Sequence, residues 1–280
     1  MNAPLDLTIA LPVKNEESNL KGCLESIGPD FAKHVVIIDS GSTDATIDIA
    51  KSKGVSIVNF VWDGKFPKKR NWFLRNYNLK TKWVLFLDAD EYLTQDFKKE
   101  LTQKLETEDD KVGFWLNYTI YFIGKKLKGG YPLNKLALFK VGAGEYEKID
   151  EDKWSNLDME IHEHPILDGQ IGYIKSKIDH RDFRGVSHYM DKHNEYASWE
   201  AYRYMKTYNN HDARASWTWK QRIKYRLMRS SLIGPIYFFG SFVFYGGWKD
   251  GATGFVFSIL KMSYFTQIYC KIKELKNSKP

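Results

Sequence analysis

Cysteine is nearly absent from this 280-residue chain: Cys23 and Cys270 stand far apart. That scarcity excludes a disulfide framework and any multi-cysteine metal centre, and it suits a reducing, cytosolic setting. No apolar run reaches the roughly 20 residues of a membrane-spanning helix. A secretion signal is missing too, because Pro4, Asp6 and Thr8 interrupt the N-terminal segment and Lys14, Glu16 and Glu17 follow; this segment is expected inside the fold. There is no solenoid-period repeat and no low-complexity stretch, so those architectures drop out. No GxGxxG follows the first apolar segment, where PVKNEE stands at 12–17, which speaks against a nicotinamide-binding oxidoreductase.

What is present is a hydrophobic content of 43%, ample for a packed core, and a formal net charge of +7 with a pI near 9.0. Such a charge suits nucleic acid, anionic lipid or a phosphate-bearing substrate. From residue 7 to 106 apolar runs at 7–13, 35–39, 55–61 and 83–87 read as strands. Leu20, Cys23, Leu24 and Ile27 fall on one helical face, and further helices are predicted near 43–53, 68–79 and 95–106. The alternation predicts an α/β fold with a mostly parallel, doubly wound sheet. In such sheets ligands gather beyond the carboxyl ends of the strands, where Asp39 and the cluster Asp88 to Glu91 lie. Past residue 110 longer aromatic strands at 112–124 and 133–140, joined by the turn at Gly129 and Gly130, are predicted to add antiparallel strands and the second side of a cleft.

In WVLFLDADEYL, residues 83–93, five apolar residues run straight into Asp88, Ala89, Asp90 and Glu91. Carboxylates that close to a core need a cation, a basic side chain or open solvent. Residues two apart in an extended segment share a side, so Asp88 and Asp90 face one ligand if the strand continues that far. Their hard oxygens suit Mg2+ or Mn2+, which keep waters and bind phosphate oxygens. A calcium loop starting at Asp88 is excluded, since Leu93 and Lys99 occupy the positions that require Gly and Glu. Capping the following helix would use only one of the acids.

The segments ALPVKNEESNL, VIIDSGSTDAT, KRNWFL and WVLFLDADEYL, in this order over about the first hundred residues, resemble the successive motifs of a family 2 glycosyltransferase. The resemblance implies a GT-A nucleotide-diphospho-sugar transferase fold, Rossmann-like with a mixed, mostly parallel central sheet. It implies that Pro12, Asn15 and Glu16 border the nucleotide and that Asp39 accepts a hydrogen bond from the base, which fits the N3–H of uracil. Asp44 resembles part of a polar loop beneath the nucleotide; Ser42, Thr43 and Asp44 equally read as a helix cap. Arg70 matches an arginine beside the nucleotide, while Lys68 and Lys69 either reach the phosphates or form a solvated basic helix face. Asp88 and Asp90 match the DxD motif, Asp88 nearer the ribose and the metal waters, Asp90 on the cation. The Mg2+ or Mn2+ so implied neutralises charge on a departing diphosphate.

An inverting transfer also needs a carboxylate to take the proton of the attacking hydroxyl. DMEIHEHP, residues 158–165, resembles the His-Glu motif of a bacterial subgroup that includes lipopolysaccharide core glucosyltransferases and capsule or exopolysaccharide transferases. It implies Glu163 as the base, with Glu160 in reserve; the plain alternative is an exposed loop acid. A zinc-protease reading of His162, Glu163 and His164 fails, because Ile166 occupies the second histidine position and Pro165 breaks a helix. His180 falls where the subgroup carries a histidine that completes the metal or diphosphate site, and it also reads as a structural histidine. The subgroup's arginine in an LRLF strand is replaced by Ala137 in LALF, which opens donor and acceptor identity. Tyr131, Trp154 and Trp115 are candidates to stack on sugar rings.

Between Ala213 and Trp248 there is no acidic residue, and Arg214, Lys220, Arg222, Lys224, Arg226 and Arg229 precede the apolar run 232–247; a second aromatic run follows at 255–270. Cations followed by aromatic helices describe a surface lying in the headgroup layer of an anionic membrane, flat or re-entrant rather than crossing. A dimer interface is the alternative. Nucleic acid is not expected, since the apolar runs are not interleaved with basic residues in a polar groove. The expected organisation is a catalytic domain over 1–185, a helical basic linker over 186–231 and membrane-associating aromatic helices over 232–280. The expected activity is a metal-dependent inverting transfer from a UDP-sugar to a lipid-linked glycan acceptor in bacterial surface polysaccharide biosynthesis, at the cytoplasmic face of the inner membrane. A lipopolysaccharide core glucosyltransferase and a non-catalytic sugar-nucleotide-binding partner of a polysaccharide assembly complex are the alternatives.

Overall fold

A computed structural model describes residues 3–149, 157–160, 163–208, 214 and 219–277. The chain divides into two compact units, Met1–Tyr121 with Leu133–Phe183, and Phe122–Pro132 with Arg184–Pro280.

The first unit begins with β1 (Leu5–Val13), α1 (Glu17–Ile27), β2 (Ala32–Asp39), α2 (Thr46–Ser52), β3 (Ser56–Asn59), α3 (Lys69–Asn76) and β4 (Trp83–Phe86). It continues with β5 (Glu91–Tyr92), α4 (Gln95–Thr107) and β6 (Lys111–Phe122). In β1 every residue from Leu7 to Val13 is buried: a central parallel strand covered on both faces reads as a continuous apolar run. The stripe Leu20, Cys23, Leu24 and Ile27 on α1 is buried as its spacing predicts. After the segment Lys125–Lys126 (β7) in the second unit come β8 (Asn134–Lys140), β9 (Gly144–Tyr146), β10 (Pro165–Leu167) and β11 (Gln170–His180).

The main sheet runs β3-β2-β1-β4-β8-β6-β11-β5. The first four strands are parallel, β8 lies antiparallel to both β4 and β6, β11 is parallel to β6, and β5 is antiparallel to β11. This is the mixed, mostly parallel sheet expected. β4 ends at Phe86, so the strand does not continue to Asp90; a turn in which the Glu91 amide donates to the Asp88 carbonyl at 2.9 Å carries the acids instead. The topology follows from that turn. Four strand-to-strand steps in a flat sheet span about 19 Å, whereas the chain from Phe86 to Glu91 reaches at most about 17 Å fully extended, and less with the turn. The sheet must therefore curl, bringing β5 and β11 back toward β4 around the Asp88–Asp90 turn.

The second unit contains α5 (Gly185–Tyr208), α6 (Trp219–Leu227), α7 (Ile233–Phe239), a π-helical turn over Gly240–Phe244, a short 3-10 helix over Gly247–Asp250 and α8 (Gly251–Asn277). Ala197, Ala201 and Tyr204 of α5, Tyr225 of α6 and Phe265, Ile268 and Ile272 of α8 share one core. An ion pair at 2.8 Å between buried Glu200 and half-buried Lys224 ties α5 to α6. The glycine pair at 129–130 does not simply turn between strands: a Cβ on Gly129 would sit 2.2 Å from the Gly246 carbonyl oxygen. Among the described residues no helix is long and apolar enough to cross a membrane.

Candidate active site

The loops after β1 and β2 are laced together. Asn15 adopts φ 55, a left-handed conformation that Asn tolerates better than most residues. Its amide donates to Ser42 Oγ at 2.9 Å and its Oδ1 accepts from the Thr43 amide at 2.8 Å. The Glu16 amide donates to Thr46 Oγ1 at 2.7 Å, and Glu16 Oε2 accepts from Asn19 Nδ2 at 2.9 Å. Pro12 is buried in β1, in register with Ile38. Asp39, at the end of β2 and 5% exposed, accepts from the Gly41 amide at 2.9 Å and from Ser42 Oγ at 2.5 Å, so its carboxylate first of all holds its own turn. Asp44 accepts from the Thr46 and Glu17 amides at 3.0 and 3.1 Å, serving the first turns of α2 and α1. Burial pushes the Asp44 carboxyl up, but the hydrogen bond from the Thr46 hydroxyl, together with those from the two amides, outweighs it and holds the group below the usual range.

The basic start of α3 is not the solvated face that its composition suggests, because Lys68, Lys69 and Arg70 are all buried. The Glu160 carboxylate reaches across 90 residues of sequence to accept from the Arg70 and Asn71 amides at 2.9 and 3.1 Å. It thereby satisfies orphan donors at the helix N-terminus, where negative charge is favoured. With both oxygens so engaged, Glu160 is a helix cap rather than a reserve base. Lys69 Nζ donates to the Val13 carbonyl at 3.1 Å and pairs with Asp158 at 3.2 Å; burial holds its ammonium below the usual lysine range.

On one side of the acidic turn, Arg70 Nη2 meets Asp88 Oδ1 at 2.7 Å, and Nη1 donates to the Glu160 carbonyl. Lys135 Nζ of β8 bridges Asp88 Oδ2 at 2.6 Å and Glu91 Oε1 at 2.5 Å. The Asp88 amide donates to Glu91 Oε2 at 3.1 Å. Burial pushes the Glu91 carboxyl up to about 7 despite Lys135; for Lys135 burial acts downward, but Asp88 and Glu91 outweigh it and raise the ammonium well above its ordinary value. Lys135 escapes motif reading, yet a signal existed: it lies two residues from Ala137, hence on the same face of β8, as a charged residue beside the buried stretch Leu136–Phe139.

On the other side, Asp90 Oδ2 lies 3.5 Å from His180 Nε2, and the Asp90 carbonyl accepts from the Arg181 amide at 2.7 Å. The β5–β11 pairing, which sets His180 opposite Glu91, brings the two together. Asp88 is thus matched with cations, and Asp90 with an imidazole. Among the described residues no group of three or more His, Cys, Asp or Glu side chains is arranged to hold a metal. The Asp90–His180 pair nevertheless fits a divalent cation that binds through few protein ligands and completes its shell with water and phosphate oxygens.

Glu163 is 5% exposed, not a loop acid in solvent, and Lys68 Nζ lies 3.4 Å from its Oε1. The next residue, His164, sets its ring edge-on to Trp115 at 5.5 Å, which makes Trp115 a packing partner there. Tyr131 belongs to the second unit, against Tyr237 and Tyr245. Trp154 and His162 lie outside the described residues.

Residues 8–144 match the family described as glycosyl transferase family 2. The chain is 25% identical over 263 residues to the lipopolysaccharide core biosynthesis glycosyltransferase LpsC of Rhizobium meliloti, covering 90% of this chain and 86% of that protein. It is 31% identical over 99 residues to the SPbeta prophage-derived glycosyltransferase SunS of Bacillus subtilis, covering 35% of this chain and 23% of that protein. Against the 4,4'-diaponeurosporenoate glycosyltransferase of Staphylococcus aureus it is 28% identical over 152 residues, 52% of this chain and 40% of that protein. Among solved structures, glucosyl-3-phosphoglycerate synthase from Mycobacterium tuberculosis in complex with Mn2+, UDP and glucosyl-3-phosphoglycerate aligns at TM-score 0.32 and 22% identity, over 42% of this chain and 44% of that one. The ordered motifs, the mixed, mostly parallel sheet that positions them and the match over 8–144 together mark a glycosyltransferase whose first half is similar to glycosyl transferase family 2.

Proposed function

We propose that the chain moves a sugar from a nucleotide sugar, with uridine diphosphate as the carrier, to a lipid-linked saccharide during assembly of a bacterial surface polysaccharide. The observation that carries this reading is the turn after β4, where Asp88 meets Arg70 and Lys135 while Asp90 meets His180. Pro12, Asn15, Glu16 and Asp39 would border the nucleotide, the diphosphate lying toward Arg70. Asp90 and His180 would hold Mg2+ or Mn2+, with Asp88 facing its waters. When bound, such a cation neutralises charge on the departing diphosphate. Arg70 and Lys135 contribute fixed positive charge at the same end of the sheet, already oriented by their carboxylates.

The acceptor hydroxyl attacks the anomeric carbon from the side opposite the diphosphate; the carbon–oxygen bond to the diphosphate breaks and its electron pair leaves on that oxygen. The hydroxyl proton passes to the Glu163 carboxylate as general base. A second reading, transfer to a lipopolysaccharide core, is favoured by the similarity to LpsC over 90% of the chain. The aromatic helices and cations of the second unit support peripheral attachment to the cytoplasmic face of the inner membrane.

The test is sugar transfer from a panel of labelled nucleotide sugars to lipid extracts. Transfer from a UDP-sugar is expected, and Glu163→Gln should lower kcat by about a hundredfold to ten-thousandfold while UDP still binds. Wild-type enzyme that transfers from no UDP-sugar, or a Glu163→Gln variant of full activity, would overturn the reading.

A further inference from the structure

The second unit gathers positive charge that sugar transfer does not use. Lys125, Lys126, Lys128 and Lys249, with Asp250 and Thr253, line a cavity of about 370 Å3. Asp250 does not neutralise that wall freely. Its Oδ1 accepts from the Lys128 amide at 2.8 Å and its Oδ2 from the Lys128 and Gly129 amides at 3.0 and 2.9 Å, so it seats the segment that follows β7. The Gly130 amide donates to the Tyr245 carbonyl at 2.9 Å, which makes 125–130 and 245–250 one continuous surface. Four lysines against one committed carboxylate leave the wall with net positive charge, and a wall of that kind is complementary to an anion.

The flanks of the cavity say which anion. Two residues before Lys125, Ile123 is held at φ 48, a left-handed conformation that is a genuine outlier for a β-branched side chain, and it is 64% exposed. Beside Lys249, Trp248 is 58% exposed and Phe244 84%; Lys249 Nζ lies 5.8 Å from the Trp248 ring centroid. A soluble phosphate would need the lysines but not exposed apolar side chains beside them in the chain. Lysines interleaved with exposed Trp, Phe and Ile are what the headgroup layer of a bilayer selects, with the charge at the phosphates and the apolar side chains below them.

We propose that this lysine-walled cavity is a headgroup site for anionic phospholipid, the lipid phosphate entering among the four ammonium groups while Ile123, Phe244 and Trp248 enter the boundary between headgroups and acyl chains. The inference rests on the reading of the enzyme as membrane-attached and deepens it: the segment 123–128, far upstream of the aromatic tail in sequence, becomes part of the attachment surface.

Flotation of the full chain with vesicles tests it. Wild-type protein should float with phosphatidylglycerol-containing vesicles, far less with pure phosphatidylcholine, and the binding should weaken with salt. At about fivefold per lysine, the exposed quadruple variant K125Q/K126Q/K128Q/K249Q should lose on the order of a hundredfold or more in partitioning. Phe244→Ser with Trp248→Ser should also weaken binding, but leave its salt dependence in place. UDP binding, measured on the same samples, should be unchanged in every variant. A quadruple variant that floats as wild type does, or glycerol phosphate that occupies the cavity of a protein indifferent to phosphatidylglycerol, overturns the inference. Flotation as described without any UDP binding would instead overturn the transfer reading alone.

Discussion

Arg70 is buried between two carboxyl-bearing segments: it pairs with Asp88 at 2.7 Å, while its own amide donates to Glu160. Burial works against its charge, yet the carboxylates around it more than compensate and raise its affinity for the proton. Removing one partner of a buried ion pair leaves the other uncompensated, which costs more than the pair is worth. Because Lys135 also reaches Asp88, Arg70→Met should cost about 2–3 kcal/mol rather than the full loss of an isolated pair, readable as a lowered urea midpoint. Unchanged stability would mean that Lys135 alone balances the turn. At this scale the DxD and His-Glu motifs singled out Asp88, Asp90 and Glu163, and the subgroup resemblance His180, because hard oxygens and a base carry their chemistry in their identity. Glu160 as the cap of α3 and Lys135 as a counter-charge were not legible, since each acts on a partner at least 44 residues away and that partnership is decided only by the fold.

Among the elements, the apolar runs of 7–13, 35–39 and 83–87 were readable because buried parallel strands leave little room for polar residues. The DxD acids lie in a turn instead of a strand extension, and no local pattern distinguishes the two in so short a stretch. The parallel pairing of β6 with β11, and the placement of 122–132 with the helices, depend on contacts between distant segments that periodicity does not encode. On α8, Lys261 is half-buried with its Nζ 5.4 Å from the Phe257 ring centroid, and burial pushes its ammonium down to about 8 from an ordinary 10.5. A lysine depressed in the folded state binds its proton less readily there than in the unfolded chain. The penalty is therefore complete below pH 8 and fades as pH rises toward 10.5. Lys261→Met should stabilise the protein by about 2 kcal/mol at pH 7, with the advantage vanishing near pH 10.5; chemical denaturation at the two pH values checks this, and a pH-independent gain would contradict it.

At the scale of the whole molecule, net charge and aromatic content resolve into two roles in two units. Most acids lie in the first unit, where Asp88 meets Arg70 and Lys135 at the strand ends, and the second unit, poor in acids, carries four lysines around one cavity and most of the exposed aromatics. The overall charge of +7 left nucleic acid, lipid and phosphate all open, because a sum carries no position. The central claim is that the Asp88–Asp90 turn serves a cation bound to a nucleotide diphosphate, and calorimetric titration of UDP into wild-type protein and Asp90→Ala, each with Mn2+ and with chelator, tests it most directly. Mn2+ should tighten UDP binding to the wild type at least about tenfold, or 1.4 kcal/mol, and should do nothing for Asp90→Ala, which keeps its melting temperature. Equal UDP affinity in all four titrations would contradict the account.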